Sequence, residues 1–294
     1  MTLNAQEAEA IVGGRHGDPF SVLGLHEVAG KLVVRAFVPE AVSIVAVDPE
    51  NGRKIVELAP VEGHKGLFAG TAARRKKPFA YRLDIKTADH NWVADDPYRF
   101  GPVMGDLDEH LIGEGAHRQL WQVLGAHVMQ HQGVPGTHFA VWAPNASRVS
   151  VVGSFNAWDG RRTIMRRRGQ TGVWEIFVPG IGAGEVYKYE ILDGSGVLLP
   201  QKADPVGFGA EHPPATGSVV RDLSGFDWKD ADWMGRRADK QRFDKPMSIY
   251  EVHLGSWRRV PDEANRPLSY TELARDLVRY VKELGFTHIE LCLL

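Results

Sequence analysis

The chain has 294 residues, enough for two domains of ordinary size, and its 43% hydrophobic and 24% charged residues are the balance of a globular protein. A formal net charge of −2 leaves no overall basic field that would attract nucleic acid or an anionic membrane surface. The single cysteine, Cys292, excludes an intrachain disulfide, and no signal peptide or run of about 20 apolar residues is visible, so we expect a cytoplasmic protein.

An internal repeat organises the first part of the chain. The stretch VLGLH at residues 22–26 recurs as VLGAH at 123–127, and RAFVPEAVSIVAVD at 35–48 recurs as AVWAPNASRVSVVG at 140–153. Further matches follow in the same order along the chain. The repeat pairs Phe37 with Trp142, Pro39 with Pro144, Gly66 with Gly172, Tyr81 with Tyr187 and Asp96 with Asp204. Collinear matches of this kind predict two tandem copies of one domain.

Both copies are predicted to be β-sandwiches. Apolar and polar residues alternate in short stretches, as at Tyr187, Tyr189 and Ile191, and Gly, Pro, Asn or Asp stands at the breaks. This pattern is typical of half-buried strands and predicts a mainly β protein with two immunoglobulin-like sandwiches. We place the first copy at residues 1–112 and the second copy at residues 113–225. Trp142 and Trp174 are expected to fill the core of the second copy.

Two basic clusters interrupt this pattern. They lie in predicted turns without an aromatic platform, so we interpret them as solvated loops rather than phosphate or nucleic-acid sites; they comprise Arg161, Arg162, Arg166, Arg167 and Arg168, and the run from Arg74 to Lys77. The twelve histidines show no metal-ligand spacing, and no phosphate-binding glycine loop is present. We therefore predict neither a metal nor a cofactor.

Residues 226–246 are charged and lack periodicity, which predicts a connector between domains. Its two tryptophans, Trp228 and Trp233, are expected to pack it.

The pattern changes again over residues 247–294. MSIYEVHL is predicted to be a buried strand, and Ser269 with Glu272 forms a capping box that starts a helix. Gly285 ends that helix, and the strand FTHIELCLL follows directly. A strand, helix and strand connected in this way predict parallel pairing. Two strands cannot close a sheet, so we expect this segment to be the start of a larger domain and to be exposed or unstable by itself.

Three motifs resemble one family. HGDPFSVLGLH at residues 16–26 resembles the opening of bacterial 1,4-α-glucan (glycogen) branching enzymes, and WAPNASRVSVVGSFNAWDGR at 142–161 resembles carbohydrate-binding module family 48. SIYEVHLGSWRR at 248–259, with the helix and strand that follow, resembles the first strand-helix-strand of their (β/α)8 barrel, which belongs to glycoside hydrolase family 13. The resemblance covers nearly the whole chain and implies an N-terminal portion of such an enzyme.

The resemblance implies a glycosyltransferase that cleaves an α-1,4 bond in a glucan and forms an α-1,6 branch. Its catalytic carboxylates would come from the fourth, fifth and seventh barrel strands, beyond Leu294, so no catalytic residue is assigned and the chain is expected to be inactive by itself. Glu251 and Glu290 lie inside apolar strands, where we predict a structural role. His253 and Trp257 are expected to support the active site.

Glucan binding is the activity that this chain is expected to keep. The resemblance points to Trp158 and Lys188 as candidates, because a sugar ring offers an apolar face to an aromatic side chain and hydroxyls to a donor. A second tryptophan of the family pattern is replaced by the run DGSG at residues 193–196, and Trp158 could also pack a hairpin or the barrel. We expect a monomer that binds α-glucan and neither nucleic acid nor membrane. The alternatives are a glucan-binding scaffold and another family 13 enzyme, such as a debranching or trehalose-releasing enzyme.

Overall fold

A computed structural model describes residues 3–292 of the chain. These residues form two compact units that divide after Gly225, and the described chain is mainly β, as predicted. Within the described residues no helix is both long enough and apolar enough to span a membrane.

The first copy is built from one curled antiparallel sheet with strand order β1-β2-β5-β4-β3-β6-β7. Core side chains from β2, β3 and β6 contact one another, so the two halves of the sheet face each other as the two layers of a sandwich would. The strand β4 joins the halves, because its residues pair with β3 and then with β5. The elements are α1 (Ala5–Val12), β1 (Gly24–Val28), β2 (Lys31–Phe37), β3 (Ser43–Val47), β4 (Lys54–Pro60), β5 (Leu67–Thr71), β6 (Arg82–Lys86), β7 (Asn91–Asp95) and α2 (Asp106–Gly113).

The second copy repeats most of this strand order in two separate sheets, β11-β12-β9-β8 and β10-β13-β14. The strands β8, β9, β12 and β11 follow the order of β1, β2, β5 and β4, and β10 pairs with β13 as β3 pairs with β6. Isolated bridges of Tyr189 with Lys202 and of Leu192 with Leu198 stand where β6 pairs with β7. An isolated bridge from Ser150 in β10 to Ile164, just before β11, stands where β3 pairs with β4. The strands are β8 (Gly125–His131), β9 (Val134–Trp142), β10 (Ala146–Gly153), β11 (Arg166–Arg168), β12 (Val173–Pro179), β13 (Val186–Asp193) and β14 (Ser218–Val219).

The residue pairs of the sequence repeat perform the same tasks in both copies. Gly66 and Gly172 both have a positive φ, and a Cβ on either would lie 2.7 Å from the matched Pro39 or Pro144. The Tyr81 hydroxyl donates to Asp96 Oδ2 over 2.6 Å, and the Tyr187 hydroxyl donates to Asp204 Oδ2 over 2.7 Å. The predicted duplication is therefore confirmed at the level of individual hydrogen bonds.

Buried charges connect the two copies. Glu175 in β12 accepts hydrogen bonds from the backbone N–H of Met104, over 2.9 Å, and from His138 Nε2, over 2.8 Å. Burial alone would raise the pKa of Glu175, but the hydrogen bond and charge of His138, the bond from Met104 and the nearby Arg168 hold that pKa below its usual value. The carboxylate is consequently ionised and fixed between residues of both copies.

The prediction of solvated arginine loops is wrong for part of the cluster at residues 161–168. Arg166 and Arg168 lie in β11, and both donate to carbonyl groups of the first copy, those of Phe100 and Met104 respectively. The Arg166 guanidinium also stacks 3.6 Å from the ring centroid of Phe20, and burial lowers its pKa to about 10. A strand edge packed against another domain hides these arginines, which the sequence pattern of a turn could not reveal.

The second unit contains a strand, a helix and a parallel strand, as predicted. Pairing of β15 with β18 is parallel, the Ser269 and Glu272 capping box is present, and Gly285 has a positive φ just beyond the helix. The elements are α3 (Ala231–Lys240), β15 (Ile249–His253), α4 (Leu254–Trp257), β16 (Arg259–Val260), β17 (Arg266–Pro267), α5 (Tyr270–Glu283) and β18 (His288–Cys292). The final Leu293 and Leu294 of the predicted last strand lie outside the described residues.

Two predictions for this unit are wrong. The tryptophans expected to pack the connector stay largely exposed, Trp228 at 72% and Trp233 at 43%. The strand β15, expected to be buried, hides only Val252. The connector also contains the helix α3, which buries none of its residues and therefore leaves no apolar stripe in the sequence.

Candidate functional site

The predicted binding tryptophan, Trp158, lies in a loop that hydrogen bonds hold tightly. The Asn156 amide donates to the Val151 carbonyl over 2.9 Å and to Thr163 Oγ1 over 2.6 Å, and it accepts from the backbone N–H of Gly153. Trp158 itself donates its backbone N–H to the Gly153 carbonyl and adopts a positive φ of 59°. Trp158 is 37% exposed, so the loop holds its backbone in place and leaves the indole accessible.

Lys188 lies at the same end of the β10–β13 pair. It is the register partner of Val152, next to the Gly153 that binds the Trp158 backbone. Its Nζ donates to Thr216 Oγ1 over 2.8 Å. The structure therefore brings the two candidates to one end of the sheet, while the ammonium group already has a hydroxyl partner.

A buried polar cluster fixes the strand that carries Lys188. The hydroxyls of Tyr187 and Tyr189 both donate to Asp204 Oδ2, over 2.7 Å and 3.0 Å. Burial raises the pKa of Asp204, and the two tyrosine hydrogen bonds partly oppose that rise. Because Tyr187 and Tyr189 point into the core, Lys188 between them must point out of it.

Trp142 is exposed, which contradicts the prediction that it fills the core. Its side chain is 58% exposed, whereas Trp174 is 2% exposed and buried as predicted. The two differ because Trp174 points between the sheets from β12, while Trp142 ends β9 and points to the outside. Beside Trp142 lies an apolar cavity of about 310 Å³, lined by Ile112, Gly115, His117, Leu120, Leu124, Trp142 and Val173.

The structure gives His253 and Trp257 different surroundings. His253 ends β15, its Nδ1 is 2.9 Å from Ser256 Oγ, and it lines a cavity of about 410 Å³ beside the start of α5. Trp257 instead donates its indole N–H to the Tyr250 hydroxyl and packs on Tyr280, which is a packing role. Support of an active site stays a prediction for both residues.

The two carboxylates of the parallel strands do not form a catalytic pair at a strand end. Glu251 and Glu290 are register partners in the interior of β15 and β18, and Glu251 accepts a hydrogen bond from Cys292 Sγ over 3.1 Å. Over residues 3–292 no group of three or more His, Cys, Asp or Glu side chains is arranged to hold a metal ion.

Two domain families match the chain, one on each copy. The N-terminal domain of alpha-1,4-glucan branching enzyme GlgB matches residues 4–98. Carbohydrate-binding module 48, also described as the isoamylase N-terminal domain, matches residues 123–207. The module covers Trp142, Trp158 and Lys188.

Relatives match over almost the whole chain. The chain is 69% identical over 290 residues to the 1,4-alpha-glucan branching enzyme GlgB of Roseobacter denitrificans, covering 99% of this chain and 40% of the relative. It is 54% identical over 291 residues to the GlgB of Paramagnetospirillum magneticum, covering 98% of this chain and 38% of the relative. Among solved structures, a pullulanase from Anoxybacillus aligns with a TM-score of 0.39 and 17% identity over 89% of this chain and 37% of that chain. The chain thus spans about 40% of the length of the curated relative matched at 69% identity.

Proposed function

Because the chain combines the GlgB N-terminal domain with a carbohydrate-binding module 48, we propose that it serves as the N-terminal portion of a 1,4-alpha-glucan branching enzyme. The whole enzyme would be a glycosyltransferase of glycogen biosynthesis that cleaves an α-1,4 bond and transfers the released segment into an α-1,6 branch. The observation that carries the proposal is the 69% identity to a GlgB across 99% of the chain. A cytoplasmic monomer that binds neither nucleic acid nor membrane is part of the same proposal.

Residues 1–294 are proposed to hold glucan rather than to cleave it. Retaining transfer between sugars needs two carboxyl groups about 5–5.5 Å apart, supplied in an α/β barrel at the carboxyl ends of strands. In β15 and β18 those ends are His253 and Cys292, and the two glutamates lie further back along the strands. Catalysis would then depend on barrel strands that these residues do not supply.

Binding at Trp158 is supported by the geometry of its loop. A sugar ring stacks its apolar face on an aromatic side chain, and an aromatic held in place beforehand loses little conformational freedom on binding. Hydrogen bonds through Asn156 and Gly153 provide that order. Lys188 uses one of its three N–H donors on Thr216, so the others can donate to a sugar hydroxyl.

Affinity electrophoresis through glycogen tests this site. We expect the chain to be retarded, and the substitution Trp158→Ala to reduce its affinity about tenfold, because one stacked ring supplies about 1.4 kcal/mol. Trp228→Ala is the matched control, since Trp228 is exposed in the connector. Equal retardation of the wild-type chain and Trp158→Ala would remove Trp158 from the site.

An amylose incubation followed by iodine staining tests the absence of catalysis. We expect the colour to stay blue at any concentration of the purified chain, because residues 3–292 supply no carboxylate pair at the carboxyl ends of the parallel strands β15 and β18. A shift toward red would show branching and would contradict the assignment of catalysis to other barrel strands.

A further inference from the structure

One aromatic position is buried in the first copy and exposed in the second. Phe37 ends β2 and Trp142 ends β9, and the two strands have the same neighbours in their sheets. Phe37 is 7% exposed, whereas Trp142 is 58% exposed. A residue that packs the fold in the first copy is thus accessible in the second.

Helix α1 accounts for the burial of Phe37. Its residues Ala8 and Ile11 belong to one apolar cluster with Phe37, Leu67 and Tyr98. In the second copy the matching cluster contains Val123, Leu124 and Val173, with Ile112 from α2 packed against it. Trp142 is not part of that cluster, and the cavity of about 310 Å³ opens beside it.

The exposed indole is held in one orientation. Its Nε1–H donates to the Thr171 carbonyl over 3.0 Å. The next residue, Gly172, has a φ of +78°, and a Cβ there would lie 2.7 Å from Pro144 and 3.1 Å from the Trp142 Nε1. The turn therefore fits closely around the ring edge, and the ring needs no further polar partner.

We propose that Trp142 and its neighbouring cavity form a second α-glucan subsite in this module, separate from Trp158. The subsite would bind a pyranose ring with its apolar face on the indole, in a cavity otherwise lined by Ile112, Leu120, Leu124 and Val173. His117 lines the same cavity with both ring nitrogens engaged, Nε2 by Asp108 and Nδ1 by the backbone N–H of Gln119, so the sugar would contact the cavity through its apolar face and keep its hydroxyls in water. This inference depends on the proposed glucan-binding function.

The two subsites lie on different sheets. Trp142 belongs to the β11-β12-β9-β8 sheet, and the Trp158 loop follows β10 of the β10-β13-β14 sheet. Two separate contacts with one branched polysaccharide raise its overall affinity through effective concentration. The match of residues 123–207 to a carbohydrate-binding module, which includes Trp142, favours a sugar over an apolar protein segment as the occupant.

Titration with maltoheptaose and retardation in glycogen gels test the subsite on the full chain. We expect Trp142→Ala to weaken maltoheptaose binding about threefold to tenfold, and Trp142→Phe, which places the residue of the first copy there, to weaken it less. The matched control is Trp121→Ala, because Trp121 is 54% exposed and next to Leu120 but does not line the cavity. In the double variant with Trp158→Ala, the two losses should add.

Other outcomes would overturn the proposal. Binding by Trp142→Ala equal to that of Trp121→Ala, with the wild-type chain still retarded, would overturn this subsite alone. A wild-type chain that glycogen does not retard would overturn the proposed function and the subsite with it. Self-association that Trp142→Ala abolishes while glycogen binding persists would assign the cavity to a second copy of the chain. If Trp142→Ala fails to fold, Leu120→Arg tests the subsite instead. A charge in the cavity lining should weaken maltoheptaose binding although the indole is intact, and unchanged binding would overturn the subsite.

Discussion

The first and second copies share a strand order and differ in how their polar and aromatic groups are used. The first copy buries Phe37 beneath its own helix and gives Asp96 one tyrosine hydroxyl, that of Tyr81. The second copy exposes the matching Trp142 and gives the matching Asp204 two tyrosine hydroxyls. The tyrosine–aspartate hydrogen bond is therefore common to both copies, while the exposure of the matched aromatic residue differs.

The largest expected effect concerns a charge that only the second copy has. Glu175→Ala should lower the free energy of unfolding by about 3–5 kcal/mol, because the buried His138 would lose its carboxylate partner and Arg168 would keep only its pair with Glu109. Urea denaturation followed by circular dichroism measures the loss. The control is Glu57→Ala on a strand of the first copy, where the exposed pair with Lys54 should contribute less than about 1 kcal/mol. A similar small loss for both variants would contradict the role of Glu175.

A second prediction tests the raised pKa of a buried carboxyl of the first copy through the pH dependence of stability. Burial raises the pKa of Asp96 to about 6, so the folded chain retains a proton that the unfolded chain has already released. This group therefore makes stability fall as pH rises from about 4 to about 6, by about 3 kcal/mol in total, and leaves it constant above that range. Asp96→Asn should remove the fall. Stability curves of wild type and Asp96→Asn that run parallel over this pH range would contradict the raised pKa, and the exposed Asp89→Asn serves as control.

A third and smaller effect separates the two tyrosine–aspartate pairs. Tyr81→Phe should cost about 1–3 kcal/mol, because it removes the tyrosine hydroxyl that bonds Asp96. Tyr187→Phe should cost less, since Tyr189 still donates to Asp204 over 3.0 Å. Thermal unfolding of both variants makes the comparison. A larger loss for Tyr187→Phe than for Tyr81→Phe would show that Tyr189 does not compensate.

Much of this fold followed from the sequence because the relevant interactions are local or repeated. The pairs Gly66 with Gly172 and Tyr81 with Tyr187 needed only alignment of the chain with itself, and the capping box at Ser269 spans a single helical turn. Such features depend on a few neighbouring residues or on a pattern that occurs twice.

The remaining features depend on contacts between distant segments. Whether Trp142 is buried depends on how far α2 reaches over it, and the residue type alone predicts burial. The sequence places Arg166 in a predicted turn, and only the structure shows that its guanidinium donates to the Phe100 carbonyl of the other copy. For the candidate site, the sequence named Trp158 and Lys188 through a family resemblance, but it could not show that Thr216 holds the lysine.

The Tyr98 hydroxyl has a consequence for making the binding module as a separate fragment. It accepts the backbone N–H of Ile164 over 3.0 Å and donates to the Arg162 carbonyl over 3.3 Å, so a single side chain of the first copy satisfies backbone groups of the second. A fragment cut at the repeat boundary, after residue 112, would lose this hydroxyl together with the Met104 amide that holds Glu175. Expression clones of the module should therefore begin upstream of Tyr98, and the two copies should melt in one calorimetric transition.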